Sequence, residues 1–343
     1  SDFSRLSLVS RKTHEAVSSS SHLYMSGSAM LFSQGSSRCR PYSAFAQHRI
    51  KSTQAPQDDL KRLLGRYPNL NSLHLEKLAP VGDDVVSILN ESPAAQSLTR
   101  VSLHGCALSY WCGQSFQLKH LQHVSLSGGS IRARIYSLLK HSTNLKSLCI
   151  TLCSSLRDDD VFDIGLLLHH GLQSLILNQC VGLQRPVVQF PNLRRLSLVG
   201  CFGLSSLNGY SCREIRHLNL SFCIRLTGSQ IEEFVGQLPT LEELVLMKCS
   251  SVTSFNLSSL RLKRLNVSFC HNLLELRLDC PSILELENFS CTSMGTCIVD
   301  NAASLQQLNL GGLTGLERLE IRAPKLLRLN LQGCRRLDQC QID

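Results

Sequence analysis

Aromatic side chains are scarce in this sequence, with one Trp and six Tyr, while Leu dominates the apolar positions, so the core must be built from stacked Leu rather than from aromatic clusters. No C-x-x-C occurs, which removes the paired ligand spacing of zinc sites and the thioredoxin-like redox motif. No apolar run reaches the roughly 20 residues that span a bilayer, and no charged-then-apolar leader opens the chain. Membrane contact is therefore not expected, and the expected location is the cytoplasm or nucleus. The nucleophile elbow G-x-S-x-G, H-E-x-x-H and the P-loop are missing as well, so no enzymatic activity, metal or cofactor is expected. The formal charge of +9 comes largely from the first 66 residues, which hold ten Lys/Arg against four Asp/Glu. Without a Lys/Arg run or a basic stripe interleaved with aromatics, that excess gives long-range attraction to acidic partners, and nucleic acid is not the expected one.

What the chain does have is a phrase, seen most plainly as EIRHLNLSFC from Glu214 to Cys223. Ile215, Leu218 and Leu220 fill the apolar places of L-x-x-L-x-L-x-x-C, and Cys223 closes it. The alternation is a strand signal, and the return every 21 to 28 residues is the period of leucine-rich repeats. First positions fall at Leu70, Leu98, Leu121, Leu145, Leu172, Leu193, Ile215, Leu241, Leu262, Ile283, Leu305 and Leu326. One repeat cannot bury its own Leu side chains, each contributing about 1.5 to 3 kcal/mol when buried. Stacked neighbours supply the missing wall.

Nine of the sixteen cysteines occupy the same place in the phrase: Cys106, Cys153, Cys180, Cys201, Cys223, Cys249, Cys270, Cys291 and Cys334. In a stack they form one row of reduced, buried thiols rather than a disulfide framework. Longer units leave room for an outer helix, after Asp83-Asp84, after Asp158 to Asp160, and at a capping box Ser229-x-x-Glu232. Units near 21 residues carry a second apolar phrase, such as Leu273-Leu276-Leu278, followed by Cys280-Pro281 or Ala323-Pro324. These outer segments are expected to be extended or irregular, because Pro is disfavoured in helices and ladders. The expected fold is an α/β leucine-rich-repeat solenoid (horseshoe) with a parallel concave β-sheet and a mixed helical and irregular convex side. It occupies residues 58–343, with a Ser-, Gln- and Gly-rich linker over 29–57 and a short helical segment over 1–28. The last repeat closes at Cys334 with no polar cap after it, and the expectation is that the C-terminus is incomplete or that this edge meets another subunit.

Strand geometry sends Leu inward, so the third, fifth and seventh positions line the concave face. Arg100, His104 and His123 then form a basic cluster. Ile176, Val199, Val245, Met247 and Phe289 put apolar side chains on a face otherwise solvated, beside Arg195, His217, Arg264, Glu285 and Glu287. Exposed apolar area ringed by charge is the composition of a protein-binding site; scattered exposed apolar residues, equally, are ordinary on protein surfaces. His74 beside Glu76, or His104 and His123 on neighbouring strands, could bind a metal or move a proton, but strand residues in a regular repeat are far more often surface contacts. Gly128-Gly129 and Gly311-Gly312 lie where the phrase leaves its strand, and turn geometry accounts for them.

Asp2, Leu6, Leu8, Val9, Ser10, Arg11, Val17, Leu23 and Tyr24 follow a pattern that resembles the C-terminal half of an F-box, ahead of cysteine-containing repeats. The stretch is alternatively an N-terminal cap for the repeats. The chain is similar to F-box/leucine-rich-repeat proteins of the cysteine-containing subfamily, with the Leu-Pro-containing first half of the F-box absent from this sequence. That resemblance implies the substrate-recognition subunit of an SCF-type ubiquitin ligase. Leu6, Val9, Val17, Leu23 and Tyr24 would then contact a Skp-type adaptor bound to a cullin, and the concave face would hold a target protein. The competing expectation is a leucine-rich-repeat interaction scaffold or inhibitor with no ligase role.

Overall fold

The computed structural model describes residues 22–26, 29–33, 56–76, 84–105, 115–128, 135–209 and 211–343. They fall into two compact units, Ser1–Cys149 and Ile150–Asp343.

In the first unit, strands β1 (His22–Ser26), β2 (Ala29–Ser33), β3 (Ser72–Glu76), β4 (Arg100–His104) and β5 (His123–Ser127) form a sheet in the order β2, β1, β3, β4, β5. Pairing is parallel except between β1 and β2. Helices α1 (Pro56–Arg66), α2 (Asp84–Glu91) and α3 (Ile135–Leu139) alternate with these strands. Leu60, Leu64, Leu73, Leu75, Val85, Leu89, Leu103 and Leu126 are fully buried.

Two sequence expectations change here. Leu23 and Tyr24 lie in an extended strand whose register with β3 runs from His22↔Ser72 to Ser26↔Glu76, not in a helical segment. Alternating polar and apolar residues over His22–Ser26 suit a pleat better than a helix. The stretch expected as linker holds β2 and the start of α1. Pro56 opens α1 because its ring presets the helical φ and it lacks only an N–H that would be unpaired there anyway. Leu6, Val9 and Val17 lie outside the described residues.

The second unit repeats one motif. Strands β7 (Ser174–Ile176), β8 (Arg195–Ser197), β9 (His217–Asn219), β10 (Glu243–Val245), β12 (Arg264–Asn266), β14 (Glu285–Glu287), β16 (Gln307–Asn309) and β18 (Arg328–Asn330) pair in parallel, in that order; β6 (Ser147–Thr151) contains the division between units. Each strand begins two residues after its first-position apolar residue, as do β3 to β6. Outer helices α4 (Asp158–Leu168) and α5 (Gly228–Gly236) fill the longer units. The α5 cap sits two residues earlier than expected: Thr227 Oγ1 accepts from Gln230 N–H at 3.4 Å, and the Gln230 side chain accepts from Thr227 N–H at 3.0 Å. Thr227 takes the extended conformation a cap needs, which leaves Ser229 already inside the helix.

The short units build a regular element where an irregular side was allowed. β11 (Ser254–Ser258), β13 (Glu275–Asp279), β15 (Thr296–Asp300), β17 (Arg318–Ile321) and β19 (Gln339–Ile342) form a second parallel sheet. Pro281 and Pro324 follow the ends of β13 and β17, so they cost no ladder hydrogen bond. Phe255, Leu276, Cys297 and Leu319 from this sheet are fully buried, as are Leu196, Leu218, Leu244 and Leu265 from the other to within 1 %.

The cysteine row has a specific bond. From Cys180 onward the row's thiols donate to the sixth-position carbonyl of the preceding repeat: Cys180 to Ile150 at 3.6 Å, Cys201 to Leu177 at 3.0 Å, Cys223 to Leu198 at 3.2 Å, Cys249 to Leu220 at 3.2 Å, Cys270 to Leu246 at 3.1 Å, Cys291 to Val267 at 3.1 Å and Cys334 to Leu310 at 3.2 Å. The thirteen cysteines among the described residues are all free. Burial pushes the thiol of Cys201 up to about 11 and that of Cys249 to about 12, so neither is a thiolate at neutral pH. No helix among the described residues is long and apolar enough to cross a membrane.

Two outcomes follow. Replacing Leu220 by Asp buries an unpaired charge and lowers stability by more than about 4 kcal/mol; thermal melting checks it, and an unchanged melting curve would refute the register. Brief alkylation at neutral pH, read by mass spectrometry, modifies exposed Cys340, whereas Cys223 and Cys249 react only after denaturant is added.

Candidate functional site

The Leu at the fourth and sixth positions are buried while the third and fifth face solvent, as the buried-between-accessible pattern of β7, β9, β10, β14 and β16 shows directly. Arg100, Arg195, Arg264 and Phe289 are exposed; His104, His123, Ile176, Val199, His217, Val245, Met247, Glu285 and Glu287 are half-buried. All thirteen expected site residues therefore reach solvent, with the first three in the first unit and the rest in the second.

The expected basic cluster is not one group. Arg100 and His123 are direct partners across β4 and β5, but His104 is four residues further along β4 and pairs with Ser127, about 13 Å away at strand rise. His104 instead lies against His74, with ring centroids 4.8 Å apart, and its Nε2 is 3.0 Å from Ser125 Oγ. The four-residue spacing of Arg100 and His104 on one strand already sets them apart, because position along a strand matters as much as strand adjacency.

In the second unit the third-position charges pair across neighbouring strands. Glu243 Oε2 accepts from His217 Nδ1 at 3.0 Å and from Arg264 Nη2 at 3.1 Å. Burial raises the Glu243 pKa, but those two bonds outweigh it and leave the carboxyl below its usual range. Such exposed pairs contribute little to stability, yet they tie down Arg264 and His217. Glu287 accepts from Asn309 Nδ2 at 2.8 Å.

Two positions taken as outward-facing have structural work instead. Asn219 Oδ1 accepts from Ser221 N–H at 3.0 Å, and Asn266 Oδ1 from Ser268 N–H at 3.0 Å. These bonds satisfy an amide left over where the chain turns off the strand. Ser221 and Ser268 are only 4 % and 3 % exposed, so neither is a recognition side chain.

The sequence reading missed the eighth position, just before the cysteine. Its residue has positive φ in every described repeat: Gly105, Gly128, Leu152, Gln179, Gly200, Phe222, Lys248, Phe269, Ser290, Gly312 and Gly333. The left-handed turn lets its N–H donate to the seventh-position carbonyl of the next repeat, as Phe222 does to Met247 at 2.7 Å and Phe269 to Phe289 at 2.8 Å. Glycine does this without steric penalty; another L-residue costs about 1 to 2 kcal/mol. Glycine at five of these places was the readable signal. At three consecutive ones the chain carries Phe222, Lys248 and Phe269, with φ of 61°, 59° and 62°.

These three side chains join the outward set. Lys248 Nζ lies 5.0 Å from the Phe222 ring centroid and 5.6 Å from that of Phe269. Phe269 meets Phe289 edge to face at 5.5 Å. Phe202 and Ile224, two residues past the turn, are also exposed. A second miss is Asn288, fully buried at a sixth position, with Nδ2 3.1 Å from Met294 Sδ and Oδ1 without a hydrogen bond.

Chemically the face offers rings, aliphatic groups and paired charges. No three His, Cys, Asp or Glu side chains among the described residues converge on a metal position. In the first unit, burial chiefly, then Arg100 and Lys146, hold the His123 imidazole below the usual histidine value. The unfolded chain therefore takes up a proton first, and stability falls as pH drops below about 6.5. His123→Gln is expected to flatten that part of the pH dependence of the urea midpoint; an unaltered slope would show that His123 does not carry it.

No protein-family model matches the chain. Among solved structures it is similar to a complex of Rad7 and Elc1 in yeast, at 13 % identity over 73 % of this chain and 77 % of that one, with a TM-score of 0.37. It is also similar to a leucine-rich cell-surface protein from Faecalibacterium prausnitzii, at 12 % identity over 80 % and 79 %, with a TM-score of 0.19. On its own strand order, repeat phrase and thiol row, the fold is that of an α/β leucine-rich-repeat solenoid.

Proposed function

We propose that the chain holds a target protein on the outward strand face of its second unit and serves as the substrate-recognition subunit of an SCF-type ubiquitin ligase. The observation that carries the binding half is the group of rings at Phe222, Phe269 and Phe289 around Lys248, past one end of the strands that carry the Glu243–Arg264 pair at their other end. Buried aromatic anchors with a polar surround are what protein interfaces use. The ligase half rests on the F-box-like residues from Asp2 to Tyr24. In that role the chain performs no bond chemistry: it raises the local concentration of target lysines near an enzyme supplied by other subunits.

A specific observation favours the alternative, a scaffold without a ligase role. β1 carries Leu23 and Tyr24 and is hydrogen-bonded in register to β3, as a cap on the repeats would be.

Co-purification of the full-length protein with a Skp-type adaptor and a cullin separates the two. Recovery of both supports the ligase reading, and recovery of neither leaves the scaffold. On the target side, Phe289→Ala and charge reversal at Arg195 and Arg264 are expected to weaken binding by about tenfold or more with unchanged melting temperatures. Normal binding by all three variants would move the site elsewhere.

A further inference from the structure

We propose that the second unit grips a short acidic–apolar peptide segment of its partner, with a carboxylate seated on Lys248 and a neighbouring apolar side chain covering Phe269 and Phe289. This rests on the reading of that face as protein-binding and specifies what it takes.

Phe222, Lys248 and Phe269 hold positive φ at a turn filled elsewhere by glycine five times and by Leu152, Gln179 and Ser290, and they are the three consecutive places where two rings and an ammonium meet. Nothing in the core asks for them: Phe222 and Lys248 are exposed and Phe269 is half-buried. The turn itself serves stacking in every described repeat, so what these positions add is a solvent-facing cluster of two rings and an ammonium, the composition of a contact surface.

Charge then selects the occupant. The Lys248 ammonium lies over two rings at 5.0 and 5.6 Å, within the range of cation–π attraction. It makes no salt bridge or hydrogen bond with any described residue. An occupant covering the Phe222 and Phe269 rings also covers this ammonium. A wholly apolar segment would bury an uncompensated charge, and a basic one would meet like charge. A carboxylate instead forms a charge-assisted hydrogen bond to the same group. On the far side Glu287 limits the pattern, because a second carboxylate near β14 would meet it. The acid therefore sits at one end of the segment, and the apolar residue lies over the Phe269–Phe289 edge-to-face pair.

The test is selection from a display library of random short peptides on the full chain, followed by affinity measurement of the enriched peptides on variants. Enrichment of Asp or Glu next to aromatic or aliphatic residues is expected. Phe222→Gly and Phe269→Gly should each weaken those peptides about tenfold or more without lowering the melting temperature, because Gly relaxes the turn. Lys248→Glu should reject them and restore binding when the peptide acid is replaced by Lys. Peptides that lack acid and lose binding with Val245→Glu but not with Lys248→Glu would overturn this inference and leave the face as a protein site. No enrichment, or binding indifferent to both variants, would overturn both.

Discussion

No repeat can bury its Leu side chains except against its neighbour, and where a sixth-position carbonyl points into that stack the repeat that follows supplies a donor. In the second unit the ninth-position thiol does so, at 3.0 to 3.2 Å from Cys201 through Cys334. A thiol suits the place because it is small and apolar enough for a close-packed core yet still donates, weakly. Strand pairing and the buried Leu layers set the distance between neighbours, since both continue unchanged where Leu313 takes the place of the thiol, and the thiol bond is made at that spacing. Where Leu313 replaces the cysteine, the preceding repeat is also the one with a buried Asn288 in place of an aliphatic residue. The two departures fall on the same pair of neighbours.

The same spacing creates the surface. Because the eighth residue must turn left-handed to pass its N–H to the next repeat, its side chain leaves the core and enters solvent at a repeat-to-repeat interval. Glycine leaves that row blank. Phe222, Lys248 and Phe269 fill three successive places and add rings to a face that already holds Val245, Met247 and Phe289. Recognition is thus composed on top of a backbone device whose first duty is stacking, which explains how one element supports both rigidity and variable contacts.

Much of the fold was legible because its signal is periodic. Apolar residues recur at the places of Leu218 and Leu220 in nearly every version of the phrase, mostly with polar residues between them, and their recurrence marks each inner strand to the residue. The outer strands β11 to β19 were harder. Their apolar phrase was visible at Leu276 and Leu278, but whether extended chain becomes a sheet depends on whether its neighbours keep the same register. For the site, outward placement of residues such as Val245 and Glu285 followed from strand alternation. Grouping did not: Arg100 and His104 share one strand and still stand at opposite ends of it.

The sequence by itself determined the repeat, the inward Leu and the cysteine row, since each depends on the order of residues within one phrase and buried area enforces it at every copy. Tertiary structure alone decided that Asn219 and Asn266 serve their own turns, that His104 sits with His74 rather than with His123, and that Phe222, Lys248, Phe269 and Phe289 meet. The Asn bonds span two residues within one repeat, whereas the ring and ammonium contacts join residues 20 or more positions apart in different repeats. They exist only once stacking has set the distance between one turn and the next.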